Sequence, residues 1–346
     1  MNLGLRLAER GYVPDRLVRY GIRHLLRRRL REERLRNREA LLREFRASPV
    51  AVATHAANEQ HYELPAAFFE LVLGPHLKYS SAWWDDTTAN LEDAEAAMLR
   101  LTCDRAMLRD GQQILELGCG WGSLTRWMAR HYPRSQITAV SNSHSQRAFI
   151  EARLAAENLG NVRVITADAN VFRPDQRFDR VVSVEMFEHL RNPELLLRRI
   201  ADWLLPAGRL FVHVFCHRNL TYLFGTQADD DWMGRHFFTG GMMPSRDLYP
   251  ALDHPLELEQ QWVVAGTHYA RTAEAWLSNL DRHRADVLRV MREIYGATDA
   301  AQWLQRWRMF FLSCAELFAY ANGDEWQVAH YRFRVPSPDH PKGEES

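Results

Sequence analysis

The sequence predicts an α/β fold: a doubly wound, mostly parallel sheet with helices on both faces, plus a helical amino-terminal segment and a helical cap. Three observations carry this. Five short apolar strands alternate with helical stretches between residues 92 and 215, which is the pattern of βαβ units on a parallel sheet. A glycine turn directly follows the first strand, at the edge where such a sheet holds its ligand. Leu17, Tyr20, Ile22, Leu25, Leu26 and Leu30 recur near helical spacing among arginines, and residues 270–320 are again helical in pattern.

In chain order, residues 14–46 form one predicted helix, ended by Ala47-Ser48-Pro49. Residues 50–61 are small and polar, a loop or short helix. Pro65 then sits in the first turn of a helix carrying Phe68, Phe69, Leu71 and Val72. A helix over 92–108 leads to a strand at 113–117 and the glycine turn. Helices at 122–131, 143–158 and 192–204 alternate with strands at 136–140, 162–166, 178–184 and 208–215. Residues 217–262, with Gly240-Gly241 and Pro244 as breakers, are predicted irregular. Trp326 to Arg334 alternates as a late strand, and 335–346 is Pro-rich, charged and predicted disordered. The expected organisation is an arm over 1–50, a ligand-binding domain over 51–334 with a cap at about 217–325, and a tail over 335–346.

The 346 residues are 46% apolar and hold eleven tryptophans, enough for one large core. Pocket lining and core packing are both open roles for the tryptophans. Net charge is zero, but residues 1–46 hold fourteen arginines and six acids. That +8 arm leaves −8 for the rest. It is expected to dock on its own acidic body, with peripheral contact to anionic lipid as the alternative. The four scattered cysteines contain no CxxC pair, so neither a zinc site nor a disulfide framework is expected. There is no apolar run near the ~20 residues of a membrane span and no signal-peptide pattern. A reduced, cytoplasmic protein is expected, either a monomer or a homodimer.

The turn Glu116-Leu117-Gly118-Cys119-Gly120-Trp121-Gly122 brings backbone close to a ligand and leaves the next helix's N–H groups available. Such a turn could hold NAD, FAD or S-adenosylmethionine (SAM). The spacing is GxGxG and not the dinucleotide GxGxxG, and the second strand ends Val140-Ser141-Asn142, without the acid that NAD enzymes place there.

Ile114 to Gly122 resembles the first motif of class I SAM methyltransferases, which have a Rossmann-like sheet. His61-Tyr62-Glu63-Leu64-Pro65, Leu77-Lys78-Tyr79-Ser80-Ser81-Ala82, Ser141-Asn142-Ser143-His144-Ser145-Gln146, Met186-Phe187-Glu188-His189 and His268-Tyr269-Ala270-Arg271-Thr272 are similar, in order, to the cyclopropane fatty acid synthase superfamily, from about residue 55 to 334. The resemblance implies that Tyr79 and Ser80 touch the methionine part of SAM, while Gly118, Gly120 and Gly122 pass under it beside Glu116. It implies that Ser141, Asn142 and Gln146 hold the ribose, and that Asp168 and Ala169 meet the adenine. From its position alone, Asp168 could simply cap a turn.

Glu188-His189 follows the fourth strand, where a carboxylate and an imidazole can accept or position a proton. Two chemistries exist within the superfamily. In cyclopropane synthases a lipid alkene attacks the methyl and bicarbonate takes the proton. The bicarbonate ligands would map onto Ser81, Glu188, His213, Phe215 and Tyr269, but Ser81 stands where those enzymes carry Cys, and Phe215 where they carry Ile. The coclaurine-type N-methyltransferases are closer around Ser183 to His189, Phe211 to His217, Phe237 to Ser245 and Ala315 to Trp326. Glu185 stands where cyclopropane synthases usually carry Gly, and a second carboxylate suits an amine cation. The expected reaction is therefore N-methylation of a small hydrophobic or aromatic amine. Glu63, Glu185, Glu188 and His189 would handle the proton. Tyr62, Ser81, His213, Phe237, Tyr269, Phe318, Tyr320 and Trp326 would line the acceptor site. The alternative is a cyclopropane synthase or fatty-acyl C-methyltransferase. A SAM-binding regulator is disfavoured by the Glu188-His189 pair. Nucleic acid as partner is disfavoured by the acidic body and by the absence of an NPPY-type motif. No metal is expected.

Overall fold

The computed structural model describes residues 3–52, 64–227 and 231–336. Its centre is a seven-stranded sheet of β1 (Gln113–Leu117), β2 (Gln136–Ser141), β3 (Val162–Thr166), β4 (Phe178–Val184), β5 (Leu204–His217), β8 (Glu257–Val264) and β9 (Trp326–Arg334). The spatial order is β3-β2-β1-β4-β5-β9-β8. β1 to β5 run parallel, β9 pairs antiparallel with β5, and β8 pairs antiparallel with β9. A separate ribbon joins β6 (Tyr222–Leu223) and β7 (Met242–Met243).

Central parallel strands are covered on both faces and so need apolar residues on both. In β1, Ile114 packs on one side with Leu124, Met128 and Ile150. Leu115 and Leu117 pack on the other with Leu196, Leu197 and Ile200. The helices that supply these residues, Ser123–His131, His144–Ala156 and Pro193–Trp203, are the crossovers. Each begins where the sequence offers a cap or a left-handed residue. Ser143 accepts from Gln146 N at 3.3 Å, and Asn192 accepts from Leu195 N at 3.0 Å with Pro193 just inside the helix. A third core, with Phe68, Phe69, Trp276, Trp307, Phe311 and Trp326, joins the helices Ala66–Val72, Gly266–Arg282 and Arg284–Ala319 above the sheet's end.

Three expectations change. The helix expected at 14–46 is two, Asp15–Glu33 and Arg38–Arg46, because Asn37 caps the second by accepting from Ala40 N. A further helix, Leu3–Glu9, precedes them. Residues 217–262 are not all irregular, since β8 closes the sheet. β8 lacks an apolar signature because charge holds it: Glu259 accepts from Arg209 at 2.9 Å and from Arg332 at 2.6 Å, and Arg105 lies 4.9 Å over the Trp262 ring. The cap expected over 217–325 is therefore interrupted by a sheet strand. The long carboxy-terminal helix breaks at Gly296, where φ is 74°.

The arm docks on the body, as its charge predicts. Arg19 bridges to Glu274 and Glu316, Arg38 to Asp247 and Arg46 to Glu194. The buried Glu9 accepts from Trp232 Nε1 at 2.8 Å and Arg306 at 3.1 Å. Exposed pairs each contribute little, while Glu9 ties the first helix into the cap. Among the described residues, no helix is long and apolar enough to cross a membrane.

Candidate active site

Strand order reverses between β1 and β4, so a crevice opens beyond their carboxyl ends. The glycine turn forms its floor. Gly118, Gly120 and Gly122 have φ of 79°, 52° and 79°. A Cβ on Gly118 would lie 2.7 Å from Met186 Cβ, and one on Gly122 would lie 2.7 Å from Ile150 Cγ1. A Cβ on Gly120 would meet no atom of the described residues within 4 Å. The first and third glycines thus let the turn press against its neighbours, and the second faces open space.

Two cavities meet at Gly118, Gly120, Gln146, Glu185 and His189. Ser141, Asn142, Ala167, Ala169 and Phe172 line the first. At its edge Ser141 Oγ donates to Gln146 Oε1 at 2.7 Å and accepts from Ser143 N at 3.1 Å. Gln146 Nε2 is buried and meets no partner among the described residues. Asp168 does not line this cavity. Its carboxylate accepts from Asn170 N at 2.7 Å, which closes the turn after β3.

The second cavity is lined by Lys78, Tyr79, Ser80, Glu116, Trp121, Glu185, Glu188, His189, Phe215, Phe238 and Tyr269, among others. Glu116 is buried and, among the described residues, accepts from Thr125 Oγ1 at 2.5 Å. Burial pushes its carboxyl up to about 8. Lys78 Nζ donates to Ser80 Oγ at 2.5 Å and to Ser81 O at 2.8 Å. Burial lowers its ammonium to about 8, against the pull of Glu185 and Glu95.

Glu185 occupies a left-handed position, φ 47°, an uncommon conformation for a residue with a side chain. That conformation lets three donors converge on one carboxylate: Ser81 N at 3.0 Å, Tyr269 OH at 2.6 Å and His213 Nε2 at 3.2 Å. Glu188, on a single 3-10 turn Phe187–His189, is the opposite case. It is fully buried, and neither carboxylate oxygen has a hydrogen-bond partner among the described residues. Burial raises its carboxyl well above the usual range, and the Glu185 charge adds to this. Burial raises Glu185 too, but Lys78 and the donors oppose it there. Of the two, Glu188 holds the proton more tightly. Burial lowers His189 to about 4, so it is neutral, and its ring stacks on Phe238 at 4.8 Å.

The structure therefore brings Tyr79, Ser80, Glu116, Gly118, Gly120, Glu185, Glu188, His189 and Tyr269 to one crevice, with Ser141, Asn142, Gln146 and Ala169 beside them. Ser81 and His213 act from behind, through Glu185. Gly122 shapes the turn without lining either cavity. The aromatic acceptor wall differs from expectation. Phe237 is fully buried and stacked on Phe310 at 4.5 Å, while its neighbour Phe238 lines the cavity. Trp326 is core and donates to Tyr222 OH at 2.9 Å. Tyr320 packs on Trp326. Phe318 backs Tyr269 at 4.2 Å without lining the cavity. Tyr62 and Glu63 lie outside the described residues. Lys78 was missed as a site residue, although its rarity was a signal: the sequence has only two lysines.

These residues fit SAM. The open cradle at Gly120, the Gln146 Nε2 and Ser123 Oγ atoms without partners among the described residues, and the Glu116 carboxylate suit a long ligand with a polar sugar and a cationic end.

Comparison with known proteins agrees. A family model described as mycolic acid cyclopropane synthetase matches residues 52–328. The chain is 36% identical to (S)-coclaurine N-methyltransferase of Thalictrum flavum subsp. glaucum, over 95% of this chain and 94% of that protein. It is 29% identical to the cyclopropane-fatty-acyl-phospholipid synthase of Escherichia coli K12, over 79% of this chain and 67% of that one. A crystal structure of coclaurine N-methyltransferase bound to N-methylheliamine and SAH superposes with TM-score 0.89 at 34% identity, covering 95% of this chain and 98% of that one. The chain thus belongs to the mycolic acid cyclopropane synthetase family of SAM-dependent methyltransferases.

Proposed function

We propose that the acceptor is the nitrogen of a small hydrophobic or aromatic amine, and that Glu188 takes its proton. The observation that carries this is the Glu188 carboxylate, buried and without a hydrogen-bond partner among the described residues, in a cavity walled by Phe215, Phe238 and Tyr269. A buried carboxylate without a partner is costly unless a cation meets it, and the walls favour an apolar body. An ammonium on such a body satisfies both, and an aromatic face adds roughly 0.5–2 kcal/mol. The solved relative holds N-methylheliamine, a ligand of this kind.

When bound, SAM supplies a methyl group on a positively charged sulfur. Glu188 accepts the ammonium proton, which its raised proton affinity favours. The freed lone pair forms the N–C bond as the C–S bond breaks, and that bond's electrons stay on sulfur. His189, neutral and lining both cavities, positions the nitrogen by hydrogen bonding. Glu185 adds negative field but is saturated by its three donors, so it orients the site without taking the proton. On the donor side, Ser141 and Gln146 hold the ribose, the segment around Ala169 holds the adenine, and Glu116, Tyr79 and Ser80 hold the methionine end.

No bicarbonate is needed. Ser81, His213 and Tyr269, onto which the family's bicarbonate ligands map, all bond the Glu185 carboxylate instead. Methylation is expected to proceed unchanged in bicarbonate-free buffer, measured by product formation under argon. A rate that collapses there and returns on adding bicarbonate would refute this assignment.

The acceptor is tested by incubating the protein with methyl-labelled SAM and two pools, benzylic secondary and tertiary amines and unsaturated phospholipids, followed by mass spectrometry. Label is expected on amine nitrogen. Label in acyl chains alone would overturn the reading.

A further inference from the structure

The arm carries a feature that the active site does not use. Among the described residues, seven of the ten exposed large apolar side chains lie in it: Leu3, Leu7, Tyr12, Leu17, Tyr20, Leu25 and Leu35. Leu35 is 88% and Tyr12 73% exposed. Leu3 and Leu7 share one face of the first helix at i,i+4. On the helix Asp15–Glu33, the residues Arg16, Leu17, Tyr20, His24, Arg27 and Arg31 form one exposed stripe at helical spacing. The inner faces of both helices pack on the body, so this stripe is what remains outside.

The charge on that outer face is one-sided. Each acid between residues 3 and 35 is engaged: Glu9 by Arg306, Asp15 by Arg308, Glu32 by Arg28 and Glu33 by Arg29. Arg16, Arg27 and Arg31 are exposed and form no ion pair among the described residues. Leucine and tyrosine rings held outward between unpaired arginines fit a bilayer interface. There the apolar side chains enter the acyl boundary and the guanidinium groups stay with phosphate.

We propose that the outer face of the first two helices docks the enzyme on an anionic membrane surface. A nucleic acid would use the arginines but leave Leu3, Leu7 and Leu17 exposed. A symmetric dimer through this face would set arginine against arginine. Only the anionic bilayer satisfies both halves of the patch. The inference is independent of the acceptor, because docking requires neither donor nor amine.

The test is co-sedimentation of the full chain with vesicles of phosphatidylcholine alone or mixed equally with phosphatidylglycerol. Binding is expected to the mixed vesicles only, and to be lost in about 1 M salt, where screening shortens to about 3 Å. Arg16→Glu/Arg27→Glu/Arg31→Glu should lower the partition constant by at least about 100-fold. Leu17→Ser/Tyr20→Ser should lower it by roughly tenfold. Both variants should keep wild-type methylation and thermal midpoint in vesicle-free buffer, which separates lost docking from lost folding. The proposal is overturned by wild type that ignores anionic vesicles, or by charge-reversed protein that binds them equally. It is also overturned by duplex DNA binding that exceeds vesicle binding at the same salt, or by a dimer that these substitutions dissolve while vesicle binding is absent.

Discussion

Glu188→Gln is expected to lose turnover by at least about 100-fold, the usual contribution of a positioned general base, while SAM affinity stays at the wild-type value. Its carboxylate meets no donor among the described residues, so the amide breaks no bond described there and removes a buried acid. The fold should tolerate the change. The pH profile makes the test specific. The working form of Glu188 is the carboxylate, and burial together with Glu185 raises its proton affinity. In the wild type, kcat should therefore rise with pH as that proton leaves, and in the Gln variant this limb should vanish. His189 is depressed to about 4, so it stays neutral across that range and contributes no competing limb. Turnover at the wild-type level in the variant would remove Glu188 from the mechanism.

Gly118→Ala is expected to cost donor binding and stability together. The backbone there sits at φ 79°, which costs an L-residue roughly 1–2 kcal/mol. The new methyl would also stand 2.7 Å from Met186 Cβ, in the loop that carries Glu185 and Glu188. SAM affinity should fall at least about tenfold, with a lowered thermal midpoint. Gly120→Ala is the companion. Its Cβ meets no atom of the described residues within 4 Å and faces the shared cavity, so it should weaken SAM with a smaller thermal cost. Calorimetric titration of both variants reads this out. SAM binding to Gly118→Ala at wild-type affinity would mean that the turn is not the cradle.

The alternation of βαβ units, the glycine turn and the Glu188-His189 pair were all legible in the sequence because each is local. A parallel strand needs a continuous apolar run, a left-handed turn favours glycine, and an acid and imidazole pair at a strand end is a matter of spacing. β8 was not legible. Its residues Glu-Leu-Glu-Gln-Gln-Trp-Val-Val look like a surface loop until Arg209, Arg332 and Arg334 arrive from strands far away in sequence. The choice between Phe237 and Phe238 was hidden for a related reason. Two adjacent aromatic residues have the same composition, and only the packing of Phe237 on Phe310 turns one inward and leaves the other to the cavity.

Glutamates 185 and 188 show the same division in chemistry. The sequence by itself determined the fold class, the glycine turn after β1 and the presence of two carboxylates after β4, because those depend on residue type and short spacing. Only the tertiary structure decided that they differ. Ser81, His213 and Tyr269 come from three separate segments to saturate Glu185, and nothing among the described residues reaches Glu188. Which of two like charges holds a proton depends on the donors that surround it, and the chain brings those donors together only by folding.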